Sequence, residues 1–231
     1  MSSPVTTRWI EIEPGHSGYL ALPPAGSGPG LVLFAEAFGV NEHIRMVAEQ
    51  YALAGFVVLA PDVYWRQAQR VELGYTGTDF DRAIELMKAC KPEEQAADGA
   101  AAVRSLRGLR QTAGAKVGAI GYCMGGRLAY VAAASAGVDA AVAYYGGGID
   151  QRLELAGQIR CPLLFHFAGH DPIIPPEAVE KVRRALAGRD ATIHLYPQAE
   201  HGFNCWARSN YHAPSAALAL GRSLEFLAAL F

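Results

Sequence analysis

Cys123 lies in Gly121-Tyr122-Cys123-Met124-Gly125, a thiol between glycines with Gly126 directly behind. An apolar run, 116–122, precedes it, and a helical pattern over 124–136 follows. Glycines on both sides of a nucleophile let a strand and a helix meet on a tight turn that side chains would block. The turn sets the thiol at a helix N-terminus, where partial positive charge favours a thiolate and then an oxyanion. With serine, the same G-x-S-x-G form is a nucleophile elbow. The competing reading is an inert, packed cysteine beside a glycine-rich turn. Neither phosphate-loop signature, G-x-x-x-x-G-K-[ST] or G-x-G-x-x-G, is present.

At its ordinary pKa of about 8.5 a thiol is only a few per cent ionised at neutral pH. An elbow nucleophile therefore needs a base, and the base needs an orienting acid. The chain order in this arrangement is nucleophile, acid, histidine. Downstream of Cys123, the apolar run 162–169 is followed by His170-Asp171-Pro172, and the run 191–197 by Gln198-Ala199-Glu200-His201. Asp171 and His201 are the candidate acid and base, each just past a strand. His201 would move the thiol proton and later protonate the leaving oxygen; Asp171 would hold its tautomer and stabilise its cation. The backbone N–H groups of Met124 and of Ala37, after an early strand, are the expected oxyanion donors. The other histidines fit less well. His166 and His194 lie inside strands, His170 on the acid's own turn and His212 before the last helix, while His16 and His43 are far from these strand ends. Phe38, Tyr145 and Phe203 flank the motif residues and suit either a pocket wall or plain core packing.

These residues need a scaffold that brings strand ends together. Strand-like runs at 8–12 and 18–22 read as an antiparallel start. Continuous apolar runs follow at 31–36, 56–61, 116–122, 140–147, 162–169 and 191–197, the pattern of strands buried on both faces. Helical patterns alternate with them at 41–54, 79–89, 93–107, 124–136, 150–157, 176–187 and 214–230. Asn41 is a plausible N-cap and Gly55 a plausible stop for the first. The alternation predicts an α/β fold: a mostly parallel central sheet, antiparallel at its start, with helices on both faces. Ligands of such sheets bind at the C-terminal strand ends, where every candidate above falls. We expect a single domain over 1–231. Residues 62–90 form an excursion above the sheet, in which Tyr64 and Trp65 serve as a lid or as anchors.

Composition narrows the class. Among 231 residues, 51% are hydrophobic, enough for a sizeable core and too many for a disordered chain. The net charge is −2 and the basic residues are scattered, so no footprint for nucleic acid appears. No uncharged apolar run reaches membrane-span length. The N-terminal MSSPVTTRWIEIEPG lacks the pattern of a signal peptide. Cys90, Cys123, Cys161 and Cys205 show no C-x-x-C pair, which fits reduced thiols in a cytoplasmic protein. With no apolar stripe evident, monomer is the default expectation.

EAFGVN (36–41), GYCMGGR (121–127), AYYGG (143–147), GHDPIIP (169–175) and HGFN (201–204) stand in this order. Together they resemble the dienelactone hydrolase family over essentially the whole chain. The resemblance implies an α/β-hydrolase fold, a Cys123–His201–Asp171 triad, and lactone or ester hydrolysis through a thioester acyl-enzyme, with no metal or cofactor. It also implies that Glu36 interacts with the thiol and helps form the thiolate when substrate arrives. Family lactonases hold a substrate carboxylate with an arginine four residues after the histidine, where this chain has Cys205. Arg208, three residues further on, and Arg82, in the excursion, are the remaining candidates for that clamp. The expected function is hydrolysis of a small lactone or ester. The alternatives are a broad ester or thioester carboxylesterase and a non-catalytic redox-sensing or ligand-binding protein that uses Cys123.

Overall fold

Apolar runs too short for helices and flanked by glycine or proline become strands here, and the longer periodic segments become helices. In the computed structural model, which describes residues 4–231, the strands are β1 Thr6–Glu13, β2 His16–Leu22, β3 Gly30–Phe34, β4 Val57–Pro61, β5 Val117–Tyr122, β6 Ala141–Tyr144, β7 Leu163–His170 and β8 Ala191–Glu200. They join into one sheet in the order β1-β2-β4-β3-β5-β6-β7-β8. The pairings of β1 with β2 and of β2 with β4 are antiparallel; all others are parallel. β3 and β5 are neighbours in the middle, so the loops after them meet.

The helices are α1 Glu42–Leu53, α2 Gly77–Ala89, α3 Pro92–Gly108, α4 Met124–Ser135, α5 Pro176–Ala185 and α6 Ala213–Leu227. Asn41 caps α1, its side chain accepting from the Ile44 N–H at 3.2 Å. Strand alternation shows how the layers divide. Tyr122 of β5 meets Tyr51 of α1 across 3.5 Å, and a Cβ on Gly118 would strike Leu230, just beyond α6. Gly121, of opposite parity, faces the backbone of α4, which also packs on α3. Helices therefore cover both faces of the sheet.

Three of the differences from the sequence expectation bear on the site. β6 ends at Tyr144 because Tyr145 turns the chain at φ 35. The helix expected at 150–157 is two short 3-10 turns, Ile149–Gln151 and Leu153–Gln158. β8 runs on to Glu200, which places His201 directly at its end. In the excursion, Trp65 stacks on His16 at 5.1 Å and donates to Asp98 at 3.2 Å, so it anchors the segment. No helix of the described residues is long and apolar enough to cross a membrane.

His166 lies inside β7, fully buried, between the hydroxyls of Tyr196 (2.9 Å) and Ser223 (3.0 Å). Burial pushes its pKa down to about 3, and burial with the nearby Arg208 pushes that of His43 down to about 4. An unfolded chain protonates both near 6.5. Below that pH the unfolded state binds more protons, so the stability carried by the two neutral rings is present above 6.5 and is lost as pH falls toward 4. Each ring adds up to about 1.4 kcal/mol per pH unit to the slope. Urea midpoints at pH 6.5 to 4.5 are expected to fall less steeply in His166→Gln by about that amount.

Candidate active site

Cys123 occupies the turn between β5 and α4 with φ 56 and ψ −117, a backbone state that few residues other than glycine adopt. Its own N–H is tied to the Tyr144 carbonyl at 3.0 Å. The neighbouring glycines are there for space. A Cβ on Gly121 would sit 2.0 Å from the Gly125 carbonyl oxygen, and one on Gly125 would sit 2.1 Å from that of Phe34. Both contacts are backbone, so they cannot yield by side-chain rotation. Gly125→Ala is expected to cost about 3 kcal/mol or more, read from the urea midpoint.

Asp171 follows β7 and is pinned by the chain's own turn. Its Oδ1 accepts from the N–H groups of Ile173 (2.8 Å) and Ile174 (3.1 Å). Its Oδ2 lies 2.8 Å from His201 Nδ1, with both side chains almost wholly buried. Asn210 donates its side-chain amide to the His201 carbonyl and fixes the loop from the other side. His201 Nε2 makes no ordinary hydrogen bond, yet the Cys123 sulfur acts on the ring. Burial opposes an imidazolium here; Asp171 and Cys123 outweigh it, and the pKa is pushed up to about 10.

The loop after β3 supplies the opposite wall. The Tyr64 hydroxyl donates to the Ala37 carbonyl at 2.8 Å and so fixes that loop from the excursion. The Met124 N–H belongs to the first turn of α4, where no earlier helical carbonyl is available to accept it. Glu36 is fully buried, and neither of its oxygens has a hydrogen-bond partner. Burial pushes its pKa up, against the pull of Arg208, whose Nη1 is 3.7 Å from Oε1.

Beside these groups lies one cavity of about 440 Å³, lined by Ala37, Phe38, Cys123, Met124, His201 and Arg208 among others. A thiol on a strained turn, a buried carboxylate–imidazole pair and the loop after β3 thus meet at one largely apolar cavity, an arrangement compatible with acyl transfer.

The model of the dienelactone hydrolase family matches residues 16–231. The chain belongs to the dienelactone hydrolase family. The carboxymethylenebutenolidases of Pseudomonas putida and Pseudomonas knackmussii are each 35% identical to it over 225 residues, spanning 96% of this chain and 95% of theirs. A crystal structure from Klebsiella pneumoniae superimposes with a TM-score of 0.84 at 29% identity, covering 97% of this chain and 98% of its own. Membership makes the protein a carboxylic ester or lactone hydrolase with the α/β-hydrolase fold.

The dienelactone hydrolase motifs and the structure agree on which loops meet, but the arginines are arranged in this chain's own way. Arg208 reaches the cavity because the loop coils: Cys205 N–H donates to Gly202 O at 2.9 Å, and Arg208 N–H to Cys205 O at 3.1 Å. Its guanidinium also lies 5.6 Å from the rings of Phe38 and Tyr75. Arg82 stands apart. On α2 the residues Phe80, Ile84 and Met87 face the cavity, while Arg82 is exposed and pairs with Glu85 at 3.1 Å. Tyr145 and Phe203 are fully buried and pack on each other at 5.3 Å, so they support His201 from behind (Tyr145 ring at 5.1 Å) and do not line the cavity.

Sequence reasoning passed over Arg127. It lines the cavity from the first turn of α4, donates to the Gly147 carbonyl at 3.2 Å and forms no ion pair among the described residues. Burial pulls its pKa down, and Cys123 is the nearby group that most favours its charge. The signal was present: it is the one charged residue in an otherwise apolar helix, MGGRLAYVAAAS.

Proposed function

We propose that the protein hydrolyses a small lactone or ester through an acyl-enzyme on Cys123. The observation that carries this reading is the Asp171–His201 bond of 2.8 Å beside a strained elbow cysteine on a shared cavity. His201, its pKa raised, takes the Cys123 thiol proton and holds it as an imidazolium. The thiolate attacks the carbonyl carbon, and the oxyanion is held by the N–H groups of Ala37 and Met124. Collapse breaks the C–O bond as the imidazolium gives its proton to the departing oxygen, leaving a thioester. In a lactone that oxygen stays tethered to the acyl group. Neutral His201 then takes a proton from water, the hydroxide attacks the thioester, and the thiolate leaves with the proton kept on His201. Intact mass spectrometry with a slow ester tests this directly: an adduct of the acyl mass is expected on Cys123, and adduct-free turnover would refute it.

A substrate carrying a carboxylate fits the two cavity cations, Arg127 and Arg208. Drawing Arg208 toward the substrate would take from Glu36 its counter-charge, which offers a route by which substrate changes the field around the thiol. A charge-assisted hydrogen bond is worth about 1.5–3 kcal/mol, or roughly 10–100-fold. Arg127→Gln is therefore expected to raise KM for a carboxylate-bearing lactone by about tenfold or more, and that for a neutral ester of similar size far less. Equal effects on both substrates would remove the clamp.

A further inference from the structure

Glu36 also belongs to a second cluster. His43 lies in the first turn of α1 and Cys205 in the loop after His201. A carboxylate oxygen, an imidazole nitrogen and the sulfur of these three residues lie within 4.8 Å of one another. All three side chains are buried, and Glu36, His43 and Cys205 are 1%, 3% and 0% exposed. Neither ring nitrogen of His43 and neither oxygen of Glu36 has a hydrogen-bond partner among the described residues. Four such atoms at one place are costly, about 1–3 kcal/mol for each group left unsatisfied. Native folds leave few of them without a reason. The hydrolytic steps use neither His43 nor Cys205.

We infer that Glu36, His43 and Cys205 form a binding site for a divalent transition cation of the zinc–cobalt class. Donors this close can surround one ion at the usual bond lengths of about 2.0–2.3 Å. A thiolate, an imidazole and a carboxylate suit zinc or cobalt, whereas magnesium and calcium prefer oxygen donors alone. A metal takes each of these donors in its deprotonated form, so loading exchanges the Cys205 S–H bond for a sulfur–metal bond and releases that proton. Thiolate and carboxylate together balance the two charges of the ion. Arg208 approaches Oε1 of Glu36, while Oε2 makes no hydrogen bond or ion pair among the described residues. Three protein ligands leave a fourth position for water or a small anion. His43 also lines a separate cleft of about 320 Å³ with Asn41, Tyr75 and Trp206, which gives an ion a path that avoids the active-site cavity. Because Glu36 is shared, an ion held here competes with Arg208 for that carboxylate and couples metal loading to the catalytic side.

The test is a Co²⁺ titration of Cys123→Ala, in which the catalytic thiol contributes nothing. The inference is thus independent of the acyl-enzyme reading. Expected are a near-ultraviolet thiolate-to-cobalt band and the strong visible bands of a four-coordinate ion, saturating at one equivalent. Adding Cys205→Ser should abolish the thiolate band, and adding His43→Gln should weaken binding by about tenfold or more. No thiolate band in Cys123→Ala, or a band that survives Cys205→Ser, overturns the assignment. Should Cys205→Ser fail to fold, Cys205→Ala keeps that core position apolar and is read in the same way.

Discussion

Replacing Cys123 with alanine is expected to lower kcat/KM for an activated aryl ester by about 10⁴-fold or more, with the urea midpoint nearly unchanged. The size follows from what the substitution removes and what it spares. It takes away the atom proposed to form the acyl-enzyme, so any remaining hydrolysis would proceed by direct attack of water. It leaves the N–H groups of Ala37 and Met124, the Asp171–His201 pair and the cavity walls, which is why some residual rate is expected. The fold is spared because alanine keeps the Cβ, so the backbone strain at φ 56 stays as it is, and the side chain at this position is only partly buried. Turnover that survives at more than a few per cent would remove the thiol from the mechanism. His201 would then act as a base on water, and the elbow would be a packing feature.

How far the sequence reaches is visible residue by residue. The elbow was legible because sterics dictate it: Gly121 and Gly125 stand where backbone atoms come within about 2 Å of a would-be Cβ, and only glycine permits that. The meeting of Asp171 and His201 was legible because parallel strands must end on one side of the sheet. Asn41 was legible because its side chain acts three residues away along the chain. What failed was anything decided by loop coiling or by the direction of a side chain. Arg208 was a clamp candidate in the sequence and does line the cavity, but its approach to within 3.7 Å of Glu36 depends on two successive turns that spacing does not show. Arg82 sits on the solvent side of α2, and the apolar positions 80, 84 and 87 already implied that orientation. Tyr145 and Phe203 neighbour motif residues in sequence, yet the β6 turn and the loop after β8 point both rings into the core. Neighbours in sequence to a catalytic group are as often its support as its pocket.

Asp171→Asn is the second large effect, expected at about 10³–10⁴-fold in kcat. The carboxylate has two duties, and an amide can perform only one of them. If the amide oxygen takes over the Oδ1 bonds from Ile173 and Ile174, the NH₂ group faces His201 Nδ1. The imidazole must then carry its proton on Nε2, toward the sulfur, and it can no longer accept one there. The flipped amide would set NH₂ against two backbone N–H groups, a cost of about 1–3 kcal/mol for each group left unsatisfied, so the first arrangement prevails. The variant also loses the charge that helps hold the His201 pKa near 10. A raised histidine pKa contributes stability that is fully present below about 6.5 and is lost as pH rises through the folded-state value. The stability gap between the native protein and Asp171→Asn should therefore be wide near pH 6 and close as the pH approaches 10. Alkylation of Cys123 by iodoacetamide at neutral pH should slow in the same variant, because the thiolate has lost its imidazolium. Turnover and alkylation separate the two uses of this thiol. A hydrolase loses both, whereas a protein that only senses oxidants shows the alkylation change with no turnover to lose in either form.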